Sequence, residues 1–253
     1  MPGSARARGG ARGGRGAGLG AVVVSHLHIP DGVLPPILWG PGLALAAALL
    51  LLAVRATRLE SPRTIAYQGA LGGLMLAVMS IPIPFVALEY CLTLAGPVGV
   101  LLGPAAGFQV AFVVCVILAL LGQGGLTVVG LNALVLGAAV AVARPLYVRL
   151  APGRSAAAAL ALATGAAQAV AGLCWFALLT LALKLSPGTP VGIGRGGVRI
   201  GLFAGVTIAL WLVAIAAESA VAFGVGRFLA RVRPDLLPAA PTRAPAVPAA
   251  GVP

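Results

Sequence analysis

Histidine occurs only twice in 253 residues, cysteine three times and acidic residues five times. That scarcity excludes most hydrolytic chemistry. No Ser-His-Asp set, Cys-x-x-Cys pair or H-E-x-x-H run is present, and two histidines with few carboxylates leave too few groups for a membrane-embedded enzyme such as a metallopeptidase. The cysteines, Cys91, Cys115 and Cys174, are an odd number placed in or beside apolar segments, which argues against a disulfide framework. Charged residues make up 9% of the chain, against about 25% in a soluble domain. A chain of this size cannot bury so much apolar surface in water, and a soluble fold is excluded.

What the chain does have is hydrophobic length. Sixty per cent of its residues are hydrophobic and the mean hydropathy is +1.07. Seven apolar segments are predicted near 37–54, 65–81, 92–106, 107–121, 127–143, 156–183 and 200–226, each a candidate for crossing a hydrocarbon layer of roughly 30 Å. The third and fourth are short, and Gly103-Pro104 between them predicts a tight break. Such short segments stay at membrane depth where neighbouring helices cover them. The expected fold is all-α, a polytopic membrane bundle of about seven transmembrane segments in a bacterial cell (inner or plasma) membrane.

The formal net charge is +12, yet its placement speaks for orientation rather than nucleic-acid binding. Arg55, Arg58 and Arg63 follow the first segment, Arg144, Arg149 and Arg154 the fifth, and Arg227, Arg231 and Arg233 the seventh. With seven spans these clusters share one side, which the distribution of basic residues makes cytoplasmic. The N-terminus and the 82–91 stretch then face outward, and the C-terminus is cytoplasmic. The tract at 1–26, rich in Arg and Gly, fits this topology badly and contains no signal-peptide core; it reads as an extension from a mis-assigned start. Residues 27–237 form the transmembrane domain, and 238–253 are a disordered tail rich in Pro and Ala.

The most informative string is Leu27-His28-Ile29-Pro30-Asp31-Gly32-Val33-Leu34. It resembles the N-terminus of the CbiM/NikM family, substrate-binding subunits of energy-coupling-factor transporters for cobalt and nickel, whose members typically begin Met-His-Ile-Pro-Asp-Gly. The resemblance continues through GPVGVLLGPAAGF (96–108), GQGGLTVVGLNAL (122–134) and AESAVAFGVGRFLARVRPDLL (217–237), in the family's order, and so covers nearly all of 27–237.

The resemblance implies a metal site built on the N-terminus. A free α-amine followed by histidine offers three nitrogens to one metal: the amine, the intervening amide once deprotonated, and the imidazole Nδ1. The chelate rings place these near a plane, which suits Ni(II). Here that requires translation to start at position 27, so that Leu27 is read as initiator Met and His28 follows it directly; His26 then has no role. The family's further histidine falls, counting thirteen residues back from Pro104, on Cys91. A thiolate is an acceptable ligand for Ni(II), Co(II) or softer ions, although a small buried hydrophobe is the plainer reading of a cysteine. Glu89 lies beside it. Asp31 and Gly32 are expected to shape a turn, and Asn132 to brace the loop near the site.

Glu218 is the one carboxylate inside a predicted span; pairing with a neighbouring helix and a part in coupling both remain open. GIGRGG (192–197) lacks the strand, helix and lysine of a nucleotide loop, so energy must come from other chains. The resemblance implies cytoplasmic ATPase subunits (CbiO/NikO-like), a transmembrane coupling subunit (CbiQ/NikQ-like) and a separate small membrane subunit (CbiN/NikN-like), with membrane lipid as the surrounding partner. The cargo is Co²⁺ or Ni²⁺, bound outside for ATP-driven import. An alternative is a subunit of the same architecture for an organic ligand.

Overall fold

The computed structural model describes residues 29, 31–32, 34–57, 61–81, 83–85, 88–185 and 200–238. They form six helices: α1 (Pro36–Thr57), α2 (Pro62–Met79), α3 (Ala95–Leu120), α4 (Val129–Leu150), α5 (Ala156–Leu185) and α6 (Ile200–Val232), followed by a 3₁₀ turn at Pro234–Leu236. Among the described residues five helices, all but α2, are long and apolar enough to cross a membrane. Helix α2 begins where its sequence dictates: Ser61 accepts a hydrogen bond from the Thr64 amide, and Pro62 fills the first helical position, where no amide donor is needed. Between α2 and α3 lies a short antiparallel hairpin, β1 (Ile83–Phe85) and β2 (Leu88–Tyr90), in the register Ile83 to Tyr90. It occupies the 82–91 stretch, which was expected only as a connection between spans, and adds two short strands to the all-α expectation.

The segments expected separately at 92–106 and 107–121 are two arms of the single element α3. Gly103 interrupts it with φ 79° and ψ 179°, a conformation open to glycine and strained for any L side chain, and Pro104 cannot donate the hydrogen bond that would carry the helix straight on. The arms then run back along each other. A Cβ added at Gly107 would lie 3.7 Å from the Gly99 Cα, whereas eight residues along a straight helix are about 12 Å apart. Gly99 is equally confined by α4, because a Cβ there would sit 2.6 Å from the Val140 carbonyl oxygen. Only hydrogen at both positions allows this triple approach. The first arm, 95–102, rises only about 12 Å, so it begins within the bundle.

Contacts fix which ends lie together. The α3–α4 connection meets the start of α1 through Asp31 and the end of α2 through Gln123, whose side-chain amide donates to the Ser80 carbonyl at 3.4 Å. At the opposite end, Gln109 donates to Thr57 Oγ1 at 2.7 Å and Gly103 packs on the Arg144 guanidinium. There α6 also closes on α5, with Gly226 against the Ala157 backbone.

The core is one cluster running from Ile29, Met75 and Met79 through α3 and α4 to Ala159, Leu160 and Trp175 on α5. Outward faces carry Leu45, Leu51, Leu52, Val113, Leu173, Leu212 and Phe228, all exposed, as expected where the solvent is lipid. On α1 the buried small residues are Gly42, Ala46 and Ala53.

Candidate functional site

Hydrogen bonds to side chains hold Ile29 and Asp31 against the bundle. Ile29 is fully buried. Its backbone amide donates to Asn132 Oδ1 at 2.8 Å and its carbonyl accepts from Asn132 Nδ2 at 3.1 Å. A residue outside regular structure needs other partners for its backbone, and Asn132, itself 3% exposed in the first turn of α4, supplies both for Ile29. Two residues on, the Asp31 carboxylate accepts from the amides of Leu126 and Thr127, each at 2.9 Å, and from the Thr127 hydroxyl. Burial pushes the Asp31 carboxyl upward, but the hydrogen bonds from Thr127, Leu126 and Val128 outweigh it and hold the group below its ordinary 3.8.

The turn continues at Gly32, whose φ of 82° is left-handed, and the chain re-enters the core at Leu34 before α1 begins. Gly125 lies against Asp31 so closely that an added Cβ would collide with both its carboxylate and its amide nitrogen. The GQGGLT connection is therefore shaped as a receptor for Asp31, and this is what its paired glycines do.

A second polar group lies where the hairpin meets the first arm of α3. Glu218, on α6 and 1% exposed, accepts from the amides of Thr93 and Leu94, from the Tyr90 hydroxyl at 3.2 Å and from Gln168 Nε2 at 3.2 Å. It thereby supplies the cap that Leu94, at φ 55° and without a capping side chain, cannot give α3. Thr93 Oγ1 adds the bond to the Ala95 amide at 3.2 Å. Cys91 sits inside this bracket, 7% exposed, between Tyr90 and Thr93.

Of the residues expected at the site, Asp31, Gly32, Asn132 and Cys91 are described; Glu89 is described as the β2 residue facing Pro84. Leu27 and His28 lie outside the described residues. Among the described residues no group of three His, Cys, Asp or Glu side chains is placed to hold a metal ion. Sequence reasoning missed Thr127, Tyr90, Thr93 and Gln168, ordinary residues whose partners lie between 50 and 128 positions away. The one usable signal was Glu218, since a lone carboxylate in an apolar span demands donors.

This architecture is that of a multi-pass helical membrane protein whose apolar core encloses a few buried polar side chains, the class to which transporters belong. Residues 28–236 match the family model described as CbiM, cobalt uptake substrate-specific transmembrane region. The chain belongs to the CbiM family, a family of metal transport. Among solved structures, that of a transition metal transporter superposes with a TM-score of 0.71 at 21% identity, covering 81% of this chain and 93% of the other. A truncated transition metal transporter gives 0.70 at 21% identity, over 80% and 98%. At that identity the likeness establishes the fold. No curated protein matches the chain.

Proposed function

We propose that the chain is the substrate-capture subunit of an ATP-driven energy-coupling-factor importer, taking Co²⁺ or Ni²⁺ from outside the membrane. The observation that carries this reading is the double hydrogen bond between Asn132 and the fully buried Ile29. It anchors inside the bundle the residue that directly follows His28, and a terminal amine–amide–imidazole chelate on Leu27 (as initiator Met) and His28 needs such a fixed base. Asp31 and Gly32 hold the turn below it, and Cys91 supplies the further ligand. The family's cobalt description supports the cargo, and the chelate chemistry suits nickel equally well.

The proposed orientation places the Asp31 end outside. The opposite end carries Arg55, Arg144, Arg149, Arg154, Arg231 and Arg233, the bias expected of a cytoplasmic face. With α3 doubling back, the chain passes seven times between the two ends, which leaves its amino-terminal stretch outside and the Pro234–Leu236 turn inside. The coupling subunit, the ATPase subunits and the small membrane subunit are separate polypeptides in this reading.

The test combines two measurements on native protein. Intact mass is expected to show a chain beginning at position 27, and titration of that protein with Co²⁺ and Ni²⁺ to show tight one-to-one binding. Retention of residues 1–26 in protein that still binds metal tightly overturns the chelate; absence of uptake of either radioactive metal by cells carrying the full complex overturns the transport reading.

A further inference from the structure

We infer that Glu218 is a positioning residue for metal capture, acting from α6 by fixing the segment that carries Cys91. The inference rests on the proposed reading of Cys91 as a ligand. Residues 91–94 have no regular structure of their own, and a metal ligand on such a segment is only as well placed as its supports. Those supports converge on one carboxylate. Tyr90, immediately before Cys91, donates its hydroxyl to Glu218 Oε1, and Thr93 and Leu94, two and three residues after it, donate their amides to the two carboxylate oxygens. Cys91 is thus pinned on both sides by a side chain at least 124 positions away.

Every hydrogen-bond partner of Glu218 among the described residues is a donor: two amides, a phenol and the Gln168 amide group. Gln168 Nε2 also donates to Thr93 Oγ1 at 3.4 Å, and the Gln168 backbone carbonyl accepts from Trp211 Nε1 at 3.1 Å. Replacing Glu218 by the isosteric glutamine turns one acceptor into a donor facing other donors.

The experiment uses the full chain with a verified N-terminus, titrated with Co²⁺ alone, with thiolate-to-cobalt charge-transfer absorption as the second readout. Glu218→Gln is expected to weaken binding about 10–100-fold, the usual cost of losing an outer support, and to reduce the absorption per bound cobalt. In a Cys91→Ser background the same substitution is expected to add little, because both act through one ligand. Glu218→Asp, which keeps both acceptor oxygens, is expected to recover part of the absorption. Should Glu218→Gln not fold, Tyr90→Phe removes a single support and is expected to show the same coupling to Cys91 at smaller amplitude.

Absorption unchanged in the Gln variant, or losses that multiply independently of Cys91, overturn the positioning role. Wild-type protein that binds cobalt with no thiolate absorption overturns instead the Cys91 reading beneath it, so the two failures are distinguishable.

Discussion

Asn132 and Ile29 stand 103 residues apart, and the side chain of one completes both backbone hydrogen bonds of the other. An asparagine is the side chain for this task, since it offers an acceptor and a donor on one planar group. Leucine has the volume without either function. Asn132→Leu therefore strands a buried amide and a buried carbonyl, each costing about 1–3 kcal/mol. The expected outcome is a clear fall in thermal stability in detergent together with a loss of metal affinity, measured by unfolding and by titration.

Asp31 gives the protein an acid-sensitive latch. Its carboxyl is held below 3.8 in the folded chain, so its contribution to stability is complete above that value and disappears as pH falls from there through the folded value. Hydrogen exchange at residues 126 and 127 is expected to accelerate, relative to the rest of the bundle, below about pH 4. Asp31→Asn is expected to show fast exchange there at neutral pH as well, with a flattened pH dependence.

The doubled-back arms of α3 leave no room at Gly99. Alanine there drives a methyl group into the Val140 backbone, and overpacking of this kind costs about 1–3 kcal/mol. Gly69, on α2, has nothing within 4 Å of its virtual Cβ, so Gly69→Ala is expected to be neutral or slightly stabilising. Thermal unfolding of the pair checks the prediction, and equal effects would contradict the crossing described for α3.

Cys91 is expected to set metal preference. Cys91→Ser replaces a soft ligand by a hard and weak one and is expected to lower Co²⁺ and Ni²⁺ affinity by an order of magnitude or more. Cys91→His is expected to retain binding without thiolate absorption. Competition titrations between the two metals on each variant measure the shift.

Much of this fold was legible in the residues because membrane helices announce themselves through length and hydropathy. The segment expected at 156–183 is observed as Ala156–Leu185, and the one at 37–54 as Pro36–Thr57. The break at Gly103-Pro104 was legible too, since both residue types oppose a continuous helix, and counting 92–106 and 107–121 as separate spans already required a reversal there; that Gly99 and Gly107 meet across the turn was not legible. Seven separate segments were expected where six helices form. The hairpin at 83–90 escaped notice, as its strands are three residues each. At the site, Asp31 stood out in a Pro-Asp-Gly turn and Asn132 as a polar residue in an apolar segment. Their partners did not, because a backbone amide on Leu126 or Ile29 has no signature in a sequence.

The four hydrogen bonds on Glu218 join the hairpin, α3, α5 and α6 at a single carboxylate. Sliding α6 along its axis by one turn, about 5.4 Å, would break all of them together, while a smaller displacement would leave donors and acceptors facing at unusable distances. A shift of α6 against the hairpin is thus opposed by all four bonds at once, and one large enough to break them also frees the segment that carries Cys91.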